Sequence, residues 1–153
     1  MSGKRIEPDP EKVQALVDWP VGRNLTEPRG FVALASYYRR FIAFFAEIAH
    51  PIHLLTRNNR SFIWENSQQE TFERLKHCLV TTPVLSLPHD EGRYVLDTDA
   101  SDDVLGLVLQ QEQEGLLKVI AYASRALLPT ERSYCTIRKE LLAVIYGLKL
   151  FVC

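Results

Sequence analysis

The chain has 153 residues, of which 46% are hydrophobic and 24% are charged, as in a folded globular protein and unlike a disordered or collagen-like chain. No run approaches the ~18 apolar residues of a membrane span, and the polar N-terminus lacks an apolar signal segment. Three scattered cysteines form neither metal-binding pairs nor a disulfide framework. We therefore expect an intracellular protein, cytoplasmic or nuclear, with no membrane partner.

Charge is distributed unevenly along the chain, although the formal net charge is only -1. Residues 1–60 contain nine basic and six acidic side chains, whereas residues 61–153 contain nine and thirteen. Six of those acids lie within residues 90–103: Asp90, Glu91, Asp97, Asp99, Asp102 and Asp103. This distribution fits a first half that contacts a polyanion and a second half that holds a metal ion, but solvated charged faces give the same pattern.

Helices are predicted throughout the first half. The first begins at Asp9, a helix N-cap, followed by Pro10 at the first helical position. Apolar spacing predicts a second helix over residues 26–42. Further apolar residues follow, with a helix break expected at Pro51. Residues 67–70 match a capping box that starts another helix at Ser67.

The second half changes to the two-residue period of β-strands. Strands are predicted over residues 93–99, 104–111 and 117–124, with a hairpin turn at residues 112–115. Residues 136–151 then form an amphipathic helix. The order is therefore helices, three strands and a closing helix.

Two carboxylates stand at positions where the closing helix would meet the sheet. Asp99 ends the first predicted strand, and Glu140 borders the apolar stripe that we expect the last helix to bury. That stripe consists of Ile137, Leu141, Val144, Ile145, Leu148 and Phe151. If the helix crosses the sheet, Asp99 and Glu140 can converge, and paired carboxylates suit Mg²⁺ and two-metal phosphodiester hydrolysis. Acids at strand ends and in first helical turns are also commonly solvated or complement the helix dipole.

The sequence words around these carboxylates resemble a known family. In the second half they are YVLDTDAS (94–101), LGLVLQQ (105–111), VIAYASRAL (119–127), ERSY (131–134) and KELLAV (139–144). In the first half they are PDPEKV (8–13), DWP (18–20), YYRRFI (37–42), PIHLLT (51–56), FIW (62–64) and PVL (83–85). Together they resemble the reverse transcriptase thumb and connection, followed by the start of the ribonuclease H domain, in gypsy-type LTR retrotransposon and retroviral Pol polyproteins.

The resemblance implies an α+β fold in three parts. A helical thumb/connection-like segment is expected over residues 1–80, a connector over residues 81–92, and a truncated ribonuclease H-like fold over residues 93–153. That last part has three antiparallel strands and one helix. The resemblance implies a full-length parent that cleaves RNA in RNA–DNA hybrids with two Mg²⁺ (or Mn²⁺) ions.

In that family four acids hold the two ions, and Asp99 and Glu140 correspond to the first aspartate and the glutamate. The other two acids, and the polymerase palm, have no counterpart here. We therefore expect a fragment that is inactive alone, and the sequence leaves open whether the chain is an enzyme. A site that lacks half of its metal ligands cannot hold the two ions that stabilise the attacking and leaving oxygens during phosphodiester hydrolysis.

Candidate partners follow from composition and from the resemblance. Tyr38, Arg39 and Arg40 combine an aromatic ring with cations that can contact nucleic acid, although buried tyrosines and solvated arginines fit equally well. The expected partners are an RNA–DNA hybrid or another nucleic acid, and the rest of a Pol polyprotein. A further expected partner is a second copy that pairs at the open sheet edge.

Three positions depart from the family's usual pattern. Val32, Val104 and Leu107 stand where smaller residues are customary, and larger side chains crowd close backbone contacts. These departures support an alternative hypothesis, in which a truncated or domesticated element keeps the fold as a non-catalytic module that binds nucleic acid or protein.

Overall fold

The computed structural model describes residues 5–20, 26–56, 61–81 and 85–152. The helices are α1 (Pro10–Val17), α2 (Thr26–Ser36), α3 (Phe45–Leu55), α4 (Asn66–Val80), α5 (Pro129–Arg132) and α6 (Thr136–Phe151), with a 3₁₀ turn at Arg39–Phe41. The strands are β1 (Arg5–Ile6), β2 (Leu85–Ser86), β3 (Tyr94–Ala100), β4 (Val104–Gln113) and β5 (Leu116–Ala126). Within these residues no helix is long and apolar enough to cross a bilayer.

The first helix begins as predicted, whereas the next two differ from the prediction. Asp9 caps α1 by accepting a hydrogen bond of 3.0 Å from the amide of Glu11. The predicted helix over residues 26–42 is wrong in length, because α2 ends at Ser36 and the chain then turns. The expected break at Pro51 is also wrong, since α3 continues through it. Proline removes only one backbone donor, and buried apolar residues hold α3 on both sides of Pro51.

The capping box of α4 lies two residues before the predicted one. Its N-cap is Glu65, whose amide donates to the side-chain oxygen of Gln68 at 3.0 Å. The prediction of Ser67 as the cap is therefore wrong, and its hydroxyl lies in the first turn. Gln68 is buried and also reaches the carbonyl of Pro51 at 3.4 Å. This tertiary contact selects Gln68 as the capping side chain.

Helices α1–α4 surround one hydrophobic core, to which both short strands contribute, and α6 packs on the sheet over a second, smaller core. β1 and β2 pair with each other, and Leu85 of β2 is fully buried in the core of the helical half. Val119 and Tyr122 of β5 pack against the same core. Its largest fully buried side chains are Leu16, Phe31, Phe45, Ile52, Phe72, Leu75, Leu79 and Leu85. The helical half and the sheet therefore meet along β5.

The three long strands form an antiparallel sheet in the order β3-β4-β5. The hairpin between β4 and β5 turns at Glu114 and Gly115, with φ values of 54° and 77°. Two successive positive φ angles match the right-handed twist of paired strands and favour two-residue hairpins. Within the described chain, β3 pairs only with β4, so its other edge is free.

The last helix has the predicted bounds but buries a different face. Its buried residues are Lys139, Ala143 and Gly147. The predicted stripe is wrong as a buried face, because five of its six members are exposed: Ile137, Leu141, Val144, Ile145 and Leu148. Gly147 explains why this face of α6 is the buried one. Even a Cβ at this position would lie 2.7 Å from Leu96 Cδ2, so a larger side chain would keep the helix away from the sheet. The small residues let α6 approach the sheet closely, and no further layer covers the other face among the described residues.

A partly buried ion pair links the end of β5 to the short helix α5, which precedes α6. Arg125 Nη1 and Nη2 donate to the two carboxylate oxygens of Glu131 at 2.8 and 3.1 Å. The Leu128 amide donates to the same carboxylate at 2.8 Å. The Arg125 guanidinium lowers the pKa of Glu131 below its ordinary value, despite the opposing effect of burial.

Acidification should therefore weaken the fold through Glu131. Because its folded pKa is lowered, its contribution is complete above an unfolded pKa of about 4.3 and is lost as the pH falls through the folded value. We expect Glu131→Gln to cost about 2 kcal/mol at pH 7 and to reduce the loss of stability between about pH 5 and pH 3. Urea denaturation across this range, with exposed Glu70→Gln as the control, measures both effects. An unchanged acid profile would contradict this role.

Candidate functional site

Asp99 lies near the end of β3, on the face of the sheet that the helical half covers. Its cross-strand partner is Gly106, and paired residues of an antiparallel sheet share a face. A Cβ on Gly106 would lie 2.7 Å from Phe44 Cδ1, so the Phe44 ring packs directly on this face. Asp99, Gly106 and Phe44 also line a small cavity of about 200 Å³.

Phe44 is held in a backbone conformation that is rare for a bulky residue. Its φ and ψ of 54° and 34° are left-handed, and it directly precedes α3. The turn is fastened to the sheet by Ser124, whose hydroxyl accepts from the Ala46 amide at 2.9 Å and whose carbonyl accepts from Arg39 Nη2 at 2.7 Å. These contacts anchor the helical half on the face that carries Asp99.

Glu140 lies on α6, near the same end of β3. The neighbouring Lys139 is buried, and its ammonium reaches Asp102 Oδ1 at 3.3 Å in the turn after β3. However, α6 packs on the face of Leu96, which is opposite to the face of Asp99. The structure brings Asp99 and Glu140 to one end of the sheet but not onto one face. Their convergence around the free edge of β3 stays a prediction.

Neither of these carboxylates is engaged by another side chain. Within the described ranges, the side chains of Asp99 and Glu140 accept no hydrogen bond and form no ion pair. No group of three or more candidate metal ligands occurs in the same residues. Carboxylate oxygens are the kind of ligand that Mg²⁺ prefers. The ion is commonly held by one or two carboxylates together with waters and substrate phosphates.

Three other acids of the cluster differ from Asp99 in having side-chain partners. Asp97 accepts a hydrogen bond from Gln110 Nε2. Asp103 lies 3.5 Å from Arg132 Nε, and Asp102 pairs with Lys139. These contacts tie the turn after β3 to the segment that leads into α6. Asp90 and Glu91 resemble Asp99 in having no side-chain partner among the described residues, but they lie before β3.

Of the three predicted nucleic-acid contacts, Arg40 is the one most available to a ligand. Tyr38 is only 3% exposed and belongs to the helical core, so no base can stack on its ring. Arg39 is engaged with Ser124 and lies over the Phe45 ring at 5.7 Å. Arg40 is exposed and lies 5.8 Å from the centroid of the Phe41 ring.

Sequence reasoning missed three features near Asp99. These are the Phe44 turn, the contact of Phe44 with Gly106, and the anchoring role of Ser124. A glycine inside a predicted strand is a signal of close approach by another chain segment. Gly106 could therefore have marked the contact, although its partner is 62 residues away, which no local pattern shows.

The family described as an RNase H-like domain found in reverse transcriptase matches residues 64–153. The chain belongs to this family. It is 38% identical to the retrovirus-related Pol polyprotein from transposon 297 of Drosophila melanogaster, covering 95% of this chain and 14% of that protein. The Pol polyprotein from transposon opus of the same organism is 36% identical over 94% of this chain and 15% of its own length.

A yeast relative extends the comparison. The transposon Tf2-3 polyprotein of Schizosaccharomyces pombe is 31% identical over 97% of this chain. The chain spans 11–15% of the length of these three relatives. These findings confirm the resemblance to Pol polyproteins of LTR elements.

Solved structures of a foamy viral protease-reverse transcriptase share the fold. One in complex with ds DNA has a TM-score of 0.83 and 22% identity, over 95% of this chain and 26% of that chain. Another in complex with RNA/DNA hybrid has a TM-score of 0.79 and 23% identity, over 94% and 20%. The likeness confirms the predicted fold class of helices followed by part of a ribonuclease H-like fold. The proposed domain boundaries stay predictions, since the family match begins within the helical half.

Proposed function

We propose that this chain forms the junction between a thumb/connection-like segment and the front of a ribonuclease H site in a retroelement reverse transcriptase. The observation that carries this proposal is Asp99, an acid near the end of the edge strand β3 whose side chain has no partner among the residues that the structure describes. Glu140 stands at the same end of the sheet. Both lie inside the region that matches the reverse transcriptase-associated family.

In this proposal Asp99 and Glu140 supply oxygen ligands for Mg²⁺ or Mn²⁺. The ion would activate water and stabilise charge on a scissile phosphate of an RNA–DNA hybrid. Further ligands would come from another part of the Pol protein, since two carboxylates cannot complete a two-metal site. We therefore propose that this chain alone does not hydrolyse the hybrid.

The helical half has a positioning role in this proposal. Ser124 of β5, and the contact of the Phe44 turn with Gly106 of β4, hold it on the face of the sheet that carries Asp99. Arg40 is the proposed contact to the phosphate backbone, because it is exposed and, unlike Arg39, donates no hydrogen bond to another residue of the described chain.

The non-catalytic alternative rests on three departures from the family's usual pattern, which the fold accommodates. Val32, Val104 and Leu107 are 4, 3 and 3% exposed, and each packs inside the fold. Binding of a hybrid without any contribution from Asp99 would support that alternative.

Metal binding tests the proposal directly. We expect the isolated chain to bind Mn²⁺ weakly, with paramagnetic broadening of NMR signals centred on Asp99 and Glu140. Asp99→Asn should reduce the affinity about tenfold or more, because it removes a charged ligand. Asp90→Asn, another exposed acid, is the matched control. Equal broadening in the wild type and Asp99→Asn would contradict the site.

Cleavage of a labelled RNA–DNA hybrid in Mg²⁺ or Mn²⁺ tests the incompleteness of the site. We expect no cleavage by the wild-type chain above that of Asp99→Asn. Cleavage that Asp99→Asn abolishes would show a complete site within these residues. Binding of the hybrid should weaken steeply with salt and with Arg40→Glu if Arg40 contacts phosphates.

A further inference from the structure

The buried face of α6 begins with a lysine. Lys139, Ala143 and Gly147 are the buried residues of this helix, and their spacing of four places them in one stripe against the sheet. Lys139 is only 7% exposed. Packing alone does not require a charge at this position, because burial strips an ammonium of its hydration and an apolar side chain of similar length would fill the same space.

The head group of Lys139 reaches a single residue of the described chain. Its Nζ lies 3.3 Å from Asp102 Oδ1 and 3.5 Å from the Asp102 carbonyl oxygen. Asp102 stands three residues after Asp99, and Lys139 directly precedes Glu140. The contact therefore joins the two chain segments that carry the proposed metal ligands, and it uses neither ligand.

The turn after β3 is itself fixed to the sheet. Ser101 Oγ accepts a hydrogen bond from the Val104 amide at 3.1 Å. The Asp103 carbonyl accepts from the Leu127 amide, directly after β5, at 2.7 Å. Because β4 and the end of β5 both hold this turn, it is a fixed anchor for Lys139.

Two anchors then set how α6 lies on the sheet. Gly147 packs against Leu96 of β3, and eight residues earlier Lys139 contacts the turn after β3. Eight residues of helix span about 12 Å, or about two turns. Apolar contacts are non-directional, so the one at Gly147 allows the helix to pivot. The directional contact with Asp102 fixes the end of α6 that carries Glu140.

We infer that Lys139 is a positioning residue, whose contact with Asp102 holds Glu140 at the strand end that carries Asp99. This role rests on the proposed function and deepens it. Lys139 does not touch the metal ion and acts through the orientation of α6. Removal of a residue that orients a metal ligand commonly costs tenfold or more in metal affinity.

Mn²⁺ titration of Lys139→Met tests this role, because methionine keeps most of the stem and removes the ammonium. We expect the Mn²⁺ Kd to rise about tenfold, with paramagnetic broadening at saturating Mn²⁺ lost at Glu140 and retained at Asp99. Charge alone predicts the opposite, since removing a nearby cation strengthens the binding of another cation. Arg138→Met, at the exposed neighbouring cation, is the matched control and should leave the Kd unchanged or lower it. Lys139→Arg should restore most of the affinity.

Stability and helix orientation separate positioning from a general role in folding. The urea midpoint of Lys139→Met should equal or exceed that of the wild type, because an apolar side chain suits the buried site and the remaining Asp102 side chain is fully exposed. Residual dipolar couplings of the metal-free protein should show α6 reoriented relative to the sheet. A lower midpoint with wild-type couplings would overturn the positioning role in favour of a structural one.

Failure of the positioning role is distinguishable from failure of the metal site. An unchanged Mn²⁺ Kd in Asp99→Asn would overturn the proposed function, and the metal-free couplings of Lys139→Met would still test the orientation of α6. An unchanged Kd in Lys139→Met, beside a weakened Asp99→Asn, would overturn the positioning role alone.

Discussion

Replacing Gly106 with valine is expected to destabilise the chain by about 3 kcal/mol. The added side chain would collide with the Phe44 ring, because even a Cβ would lie 2.7 Å from Phe44 Cδ1 and 3.1 Å from Cζ. Gly106 is buried in the central strand of the sheet, so the backbone cannot move away from the ring without breaking pairing on both sides. Urea denaturation at pH 7, followed by circular dichroism, measures the loss.

The effect of Gly106→Val on the free energy of unfolding should change sign when the Phe44 ring is removed. Valine has a higher strand propensity than glycine, so in a Phe44→Ala background Gly106→Val should cost less than about 0.5 kcal/mol or stabilise the chain. Gly147→Ala is the matched control, because its added Cβ would meet Leu96 and not Phe44, so its cost should be the same in both backgrounds. An equal cost of Gly106→Val in both backgrounds would show that Phe44 is not the obstacle.

This contact also explains which parts of the site could be predicted from the sequence. The position of Asp99 near the end of a strand followed from the two-residue period of β3, and the hairpin followed from its turn residues. Both are local properties of the chain. The contact of Phe44 with Gly106 joins segments that are far apart in sequence, so only tertiary packing determines it.

The last helix shows the same division between local and tertiary information. Its bounds were predicted correctly, because amphipathic spacing is a local pattern. Its buried face was not, because burial depends on which neighbour approaches. Gly147 and Ala143 allow close contact with the sheet, and the larger apolar residues therefore remain on the outer face.

The errors in the helical half have a similar cause. Pro51 was expected to end a helix, yet buried residues on both sides keep α3 intact. Ser67 matched a capping pattern, but the buried Gln68 made the cap with Glu65. In both places local propensity was weaker than tertiary packing.

Phe72→Ala is expected to cost about 3–5 kcal/mol, the usual range for removing a fully buried aromatic side chain. The Phe72 ring is 1% exposed, and its centroid lies 4.5 Å from that of Phe31 and 6.0 Å from that of Trp64. Lys76 Nζ also lies 4.3 Å from its centroid. Such a loss is a large share of the 5–15 kcal/mol that stabilises a typical domain. Tyr37→Ala, at a side chain that is 74% exposed, should cost less than about 0.5 kcal/mol.

The Phe72→Ala variant also tests whether the two predicted domains unfold together. Trp19 and Trp64 both lie in the helical half and report on it by fluorescence, whereas the amide signals of β3 and β4 report on the sheet by NMR. Val119 and Tyr122 of β5 pack against the core that contains Phe72, so both probes should shift to the same lower urea midpoint. Coincident transitions are the mark of two-state unfolding. A sheet transition that keeps its wild-type midpoint while the fluorescence transition moves would instead show that the halves fold independently, as separate domains do.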